Sequence, residues 1–125
     1  MAFVDTNILL RWLLNDHKEL GPKAEKLISS SKPASLLVTD IVVAEVVYVL
    51  RSTGRDRTQT SEALLLIGRT TAFKYENDEL ILYIIDLLTE TALDFADCYL
   101  LARSRREKVG LETFDGPLHK LYVAN

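Results

Sequence analysis

The chain has 125 residues, a formal net charge of −3 and a sequence pI near 5.4, with 48% hydrophobic and 26% charged residues. This length suits one domain, and the composition is ordinary for a soluble globular protein. The sequence contains no apolar run long enough for a membrane helix, no signal-peptide pattern and a single cysteine, Cys98. We therefore expect a soluble cytoplasmic protein without internal disulfides, and one that does not hold nucleic acid by overall positive charge.

Short apolar segments alternate with longer helical patterns along the chain. The predicted strands are 2–4, 36–38, 72–75 and 109–114, and the predicted helices are 7–15, 22–30, 41–51, 58–69, 78–90 and 95–108. The expected helix N-caps are Asp40, Thr58 or Thr60, and Asp94. Such alternation predicts an α/β fold, a Rossmann-like three-layer sandwich with a mostly parallel central sheet flanked by helices.

Four acidic residues occupy positions where a carboxylate needs a partner. Asp5 and Asp115 end predicted strands, Glu45 is the only carboxylate in the apolar stretch IVVAEVVYVL, and Asp97 lies in the first turn of an apolar helix. Taken singly, each has an ordinary explanation, such as a helix cap, a turn aspartate or a buried ion pair. Taken together, they are expected to meet beyond the carboxyl ends of the strands, where like charges require a cation. Without a His or Cys cluster, their oxygens favour Mg²⁺ or Mn²⁺ over zinc.

Two basic clusters could contact nucleic acid locally. The first is RSTGRDR, with Arg51, Arg55 and Arg57, and the second is RSRREK, residues 103–108. Both clusters also fit solvated helix ends, where the helix dipole favours cations.

The segments FVDTN, TDIVVAEVVYVL, DFADCYLLA and TFD occur in this order and together span essentially the whole chain. In sequence and spacing they resemble the PIN domain family, more narrowly its VapC-type toxin ribonucleases. The resemblance implies one PIN domain over residues 1–125 with a PIN-like fold. The Cys98-Tyr99 pair departs from the Ala and Leu common in the family. The residues that the resemblance implies are a catalytic and metal-binding quartet, Asp5, Glu45, Asp97 and Asp115, with polar support from Thr6, Asn7 and Thr113. Within the first basic cluster, Arg51 and Arg55 are the expected RNA contacts.

The resemblance also implies the reaction and the partners. One or two Mg²⁺ or Mn²⁺ ions, held mainly by Asp5, Asp97 and Asp115, would activate a water that Glu45 orients or deprotonates. That water would hydrolyse an RNA phosphodiester to a 5′-phosphate and a 3′-hydroxyl. The implied partners are RNA, an antitoxin protein and a second copy in a homodimer, with no membrane. The alternatives are a housekeeping RNA-processing nuclease or a catalytically silent metal- or RNA-binding module. A phosphatase that phosphorylates an aspartate is disfavoured because Asn7 occupies the second acidic position of DxD.

Overall fold

The structure is a computed structural model that describes residues 1–124, and the chain forms two compact units. The first unit is Met1–Asp78, and the second begins at Glu79. The elements of the first unit are β1 (Ala2–Phe3), α1 (Thr6–Leu14), α2 (Leu20–Ser30), β2 (Leu36–Val38), α3 (Asp40–Ser52), α4 (Arg57–Arg69) and β3 (Phe73–Tyr75). The elements that follow are α5 (Asp78–Glu90), α6 (Phe95–Glu107) and α7 (Gly116–Val123).

The sheet of the first unit is parallel and has the order β1-β2-β3. Ala2 pairs with Leu36, and Leu36 pairs in turn with Phe73, so the strands are in step along the sheet. Each connection between strands contains a pair of helices, as a parallel sheet requires. The predicted α/β class with a mostly parallel sheet is therefore confirmed.

The core of the first unit lies between the sheet and its helices. Leu9, Val38, Val46 and Leu64 are completely buried, and α1 packs against both α2 and α3. At the edge of this core, the Tyr75 hydroxyl donates a 2.7 Å hydrogen bond to the Leu64 carbonyl. Burial raises the pKa of Tyr75 well above its usual value, so the phenol remains a neutral donor.

Helices are the regular elements of the second unit within its described part. Its fully buried side chains include Leu80, Ile81, Ile84, Leu101 and Leu118, which come from all three helices. Cys98 is also completely buried and packs as a small core residue. No helix within residues 1–124 is both long and apolar enough to cross a membrane.

The predicted strand 109–114 is wrong, because this segment closes α6 instead of joining the sheet. Lys108 adopts the left-handed conformation, with φ of 56°, and the Val109 N–H donates a 3.1 Å hydrogen bond to the Ser104 carbonyl. The Ser104 hydroxyl returns a bond to the Val109 carbonyl. These bonds satisfy the end of the helix and leave residues 109–115 outside any strand. The Gly116-Pro117 pair begins α7, where a proline in the first turn is well tolerated.

Two predicted helix caps are also wrong. Thr39 caps α3, since its hydroxyl accepts a 3.3 Å bond from the Val42 N–H, and Asp40 is the first helical residue. Asp56 caps α4 in place of Thr58 or Thr60. Asp56 is the better cap because it forms a reciprocal capping box with Gln59. The Gln59 N–H donates a 2.8 Å bond to the Asp56 carboxylate, and the Asp56 N–H donates a 2.9 Å bond to the Gln59 side-chain oxygen.

Candidate active site

The carboxyl edge of the sheet carries a polar residue after each strand. Two residues beyond the Phe3–Leu37 pair, the register places Asp5 beside Thr39, and one residue beyond the Val38–Tyr75 pair it places Thr39 beside Glu76. Neighbouring strands lie about 4.8 Å apart, so these positions form one row. In parallel α/β sheets this edge is where ligands bind.

Asp5 occupies the N-cap position of α1 without using its side chain as a cap. Its backbone is extended and its carbonyl accepts a 3.0 Å bond from the Ile8 N–H, but the carboxylate makes no capping hydrogen bond. The side chain is exposed, and Asn7 beside it is exposed too. The ordinary explanation of Asp5 as a helix cap is therefore not supported, and its carboxylate is available for another role.

Thr6 differs from its neighbours because it is buried. Its hydroxyl oxygen has no hydrogen-bond partner among the described protein atoms. A buried hydroxyl without a partner costs about 1–3 kcal/mol, so such positions in a fold call for an explanation. Thr6 directly follows Asp5 in the sequence, and its role as polar support stays a prediction.

Glu45 is exposed, which corrects the expectation of a buried carboxylate in a helix that is apolar on every side. The buried face of α3 is formed by Val43, Val46, Val47 and Leu50. Glu45 lies on the opposite face with Ile41 and Tyr48, which are both largely exposed. These three residues are spaced four and three apart, so they share one stripe of the helix. The sequence pattern misled because two apolar residues accompany Glu45 on the exposed face.

In the second unit, Asp94 and Asp97 have different positions at the start of α6: Asp94 is the N-cap, and Asp97 lies in the first turn. The Asp94 carboxylate accepts a 2.9 Å bond from the Asp97 N–H and caps the helix, as predicted. Asp97 is half-buried in the first turn. Its pKa is raised above the usual value, first by burial and then by the negative charges of Asp94 and Asp115. Asp115 therefore lies close enough for its charge to act on Asp97, although the two residues are far apart in sequence.

Asp115 is the N-cap of α7. Its carboxylate accepts a 2.8 Å bond from the Leu118 N–H, and its own N–H donates a 2.9 Å bond to the Thr113 hydroxyl. Thr113 therefore contacts the backbone of Asp115, and its role as polar support stays a prediction. The expected position of Asp115 at the end of a strand is wrong, because a helix cap holds it instead.

The predicted quartet is divided between the units, with Asp5 and Glu45 in the first and Asp97 and Asp115 in the second. The donor chemistry fits a hard divalent cation, since a positive ion would offset the negative charges that raise the pKa of Asp97. In the part of the chain that the structure describes, no group of three or more His, Cys, Asp or Glu side chains is arranged to hold a metal ion. The structure therefore brings Asp94, Asp97 and Asp115 into electrostatic contact and leaves the complete quartet a prediction.

Glu76 was not singled out from the sequence, although it belongs to the polar row of the sheet. Its carboxylate accepts a 3.1 Å hydrogen bond from the Asp40 N–H, at the start of the helix that carries Glu45. The available signal was its place directly after a short apolar strand, the same signal that identified Asp5.

The basic clusters differ in how their side chains are engaged. In the second cluster, Arg103 forms an ion pair with Glu107, and Arg106 forms one with Glu79. Hydrogen bonding to Arg103 holds the pKa of Glu107 below its usual value. Arg105 donates to the Tyr83 hydroxyl and to a backbone carbonyl. This cluster therefore fits the helix-end explanation.

In the first cluster, Arg51 and Arg55 contact only local oxygens. Arg51 donates to the Arg55 carbonyl at 3.5 Å, and Arg55 donates to the Thr53 hydroxyl at 2.9 Å. Within residues 1–124 neither guanidinium forms a salt bridge. Their positive charges therefore remain uncompensated by a carboxylate contact.

Comparison with known proteins shows which family the chain belongs to. The chain is similar to the crystal structure of Mycobacterium tuberculosis VapC20, described as a Sarcin-Ricin loop cleaving toxin, with 19% identity and a TM-score of 0.45 over 97% of this chain and 95% of that one. No curated protein sequence matches the chain. The family model for the PIN domain matches residues 2–123 and so spans both units. By this match over nearly its whole length, the chain belongs to the PIN domain family.

Proposed function

We propose that this chain is a metal-dependent endoribonuclease that hydrolyses RNA phosphodiesters, built as a single PIN domain over residues 1–125. The observation that carries the proposal is the electrostatic contact of Asp97 with Asp94 and Asp115 in a chain that the PIN family model matches. Structural aspartates are usually spread apart, because like charges at close range cost free energy. Their grouping, at segments that also carry the PIN-like motifs, supports a shared catalytic role.

Asp5, Asp97 and Asp115 would hold one or two Mg²⁺ or Mn²⁺ ions, with Glu45 beside them. When bound, such an ion supplies an activated water and neutralises charge on the phosphate. The chain's own residues prepare for this role. The Asp5 carboxylate is exposed and does not cap α1, and Thr113 orients the backbone of Asp115. The exposure of Glu45 leaves its carboxylate able to orient or deprotonate a water at the surface.

We further propose that the enzyme is the toxin of a toxin–antitoxin pair and acts in the cytoplasm as a homodimer that an antitoxin protein blocks. This finer assignment rests on the VapC-type resemblance of the FVDTN and DFADCYLLA segments. A housekeeping RNA-processing nuclease would share the site and the chemistry. Growth after induced expression separates these two functions, because a toxin arrests growth and its Asp97→Asn variant does not.

The direct test is cleavage of structured and unstructured RNA with Mn²⁺, with Mg²⁺ and with EDTA. The purified protein is compared with Asp97→Asn and Asp115→Asn. Asn is an effective N-cap, so Asp115→Asn should retain the bond to the Leu118 N–H while removing a metal-binding charge. We expect metal-dependent cleavage that EDTA and both variants abolish.

Two outcomes would contradict the proposal. Cleavage in EDTA, or at the parent rate by Asp97→Asn, would exclude these carboxylates as the metal site. Metal binding detected by calorimetry without cleavage of any RNA would instead favour the catalytically silent module. As an independent readout, Mn²⁺ should raise the melting temperature of the parent protein by linkage and should have less effect on Asp97→Asn.

A further inference from the structure

Phe114 is the most exposed large hydrophobic residue of the described chain. Its side chain is fully accessible to solvent, whereas Leu118, one helical turn beyond Asp115, is almost completely buried. Within residues 1–124 the Phe114 ring makes no stacking contact with another aromatic ring. A phenylalanine in this position forgoes the stabilisation that burial gives and presents its whole ring to solvent.

The backbone on either side of Phe114 is held in place. The Asp115 N–H donates to the Thr113 hydroxyl at 2.9 Å, which closes a short turn around residue 114. The Asp115 carboxylate and carbonyl then accept bonds from the N–H groups of Leu118 and His119 at 2.8 and 3.0 Å. The exposed ring therefore projects from a fixed turn, and little ordering is needed for it to receive a flat ligand.

The surroundings of Phe114 favour a nucleic acid base as that ligand. Phe114 directly precedes Asp115, whose negative charge contributes to the raised pKa of Asp97. If these carboxylates hold a cation and a phosphodiester, a base attached to the neighbouring sugar lies within reach of a ring one residue away. Aromatic side chains bind single-stranded bases by stacking and tolerate any base identity, because every base has a π-face.

We propose that Phe114 is a stacking platform for an unpaired RNA base next to the bond that is cut. The inference rests on the proposed function and narrows its substrate class to single-stranded or looped RNA, since a base paired within a helix cannot lie on a protein ring. Phe114 contacts substrate in this scheme but takes no part in proton transfer or metal binding. It therefore contributes to RNA affinity and to KM, and leaves kcat largely unchanged.

The test measures binding of fluorescent oligouridine to the Asp97→Asn protein, which retains the RNA without cutting it, in the presence of Mg²⁺. Phe114→Ala and Phe114→Leu, made in that background, should each weaken the affinity about tenfold, because both remove the aromatic face. Phe114→Tyr should keep the affinity. The matched control is Leu82→Ala, which truncates an exposed apolar side chain on α5, a helix that carries none of the proposed carboxylates, and should have no effect.

Two further readouts separate stacking from general apolar contact. Phe114→Trp should bind oligouridine, and its added fluorescence should be quenched on binding, whereas the parent with Trp12 alone should show no such change. The same oligouridine paired with oligoadenosine should bind without dependence on residue 114. Retention of affinity by Phe114→Leu, or quenching by the duplex equal to that by the single strand, would overturn the inference.

The outcomes also distinguish this inference from the proposed function. If the parent cleaves RNA and Phe114→Ala shows an unchanged KM, the nuclease stands and the stacking role fails. If the parent cleaves nothing but base-dependent quenching occurs, the nuclease fails, and the result supports only base stacking on Phe114 in a protein that binds RNA without cutting it. If Phe114→Ala changes the oligomeric state in sedimentation and leaves RNA affinity intact, the ring is a contact between copies of the chain, and the inference is overturned.

Discussion

The carboxylate of Glu76 accepts a hydrogen bond of 3.1 Å from the backbone N–H of Asp40. This bond joins the segment after β3 to the first residue of α3, and the Glu76 N–H extends the strand pairing with a 2.9 Å bond to the Val38 carbonyl. The first N–H groups of a helix have no partner within the helix, and they lie at the positive end of its dipole. Glu76 therefore helps to fix the start of the helix that presents Glu45.

Replacing Glu76 should separate its hydrogen bond from its charge. Glu76→Ala removes the acceptor, and we expect it to lower the free energy of unfolding by about 0.5–1.5 kcal/mol. Glu76→Gln keeps an oxygen in the same place and should lose much less. Urea denaturation of both variants measures the difference. Equal losses would mean that the negative charge at the helix start, and not the hydrogen bond, stabilises α3.

Asp5 and Asp94 form a natural pair for comparison, since both occupy N-cap positions and only Asp94 uses its side chain as a cap. Asp94→Ala should lower the free energy of unfolding by about 1 kcal/mol, because the bond to the Asp97 N–H is lost. Asp5→Ala breaks no such bond, so we expect a change within about 0.5 kcal/mol together with loss of metal-dependent cleavage. A destabilisation by Asp5→Ala equal to that by Asp94→Ala would show that Asp5 is structural.

The elements that the sequence predicts best are those whose apolar runs end at unambiguous polar turns. β2 occupies residues 36–38 as predicted, and α5 occupies 78–90 as predicted. The end of α3 at Ser52 lies one residue beyond the predicted end at Arg51, and Gly54 follows with φ of +100°, a conformation that glycine adopts readily. Local chemistry decides these boundaries, and local chemistry is visible in a single sequence.

The wrong predictions arise where one pattern of apolar residues is compatible with two different structures. Val109 and Leu111 suggest a strand, yet Val109 instead completes the end of α6 with Ser104. Glu45 suggests a buried charge because Ile41 and Tyr48 are apolar, yet all three residues are exposed. For the site, the sequence identifies the acidic residues. Which of them lie close together depends on tertiary packing, which a single sequence does not reveal.

The electrostatics of Asp97 predict how metal-free protein responds to pH. Its pKa is raised, so the folded protein binds this proton more tightly than the unfolded chain does. In EDTA the carboxylate therefore costs stability at neutral pH, and the cost disappears as the pH falls through the pKa of the folded state. Asp97→Asn carries no charge and should melt at or above the parent temperature at about pH 7, with a smaller gap near about pH 4.

The control for this experiment is Asp86→Asn. Asp86 lies on the exposed side of α5 and is not one of the carboxylates of the proposed site. That variant should show no gap that closes with falling pH. If Asp97→Asn instead melts well below the parent in EDTA at neutral pH, the charged carboxylate stabilises the unit. That result would contradict a raised pKa for Asp97.

Arg51 and Arg55 should bind RNA through charge, since neither is neutralised by a carboxylate within residues 1–124. Each phosphate contact releases counterions, so Arg51→Ala or Arg55→Ala should weaken binding more at low than at high salt and reduce the salt slope by about 1. Anisotropy of labelled RNA with the Asp97→Asn protein over a KCl series measures this slope. Arg103→Ala is the matched control, because Glu107 already compensates Arg103, and it should change the slope less. Losses of affinity that are equal at every salt concentration would mean that Arg51 and Arg55 position the protein backbone and do not contact phosphate.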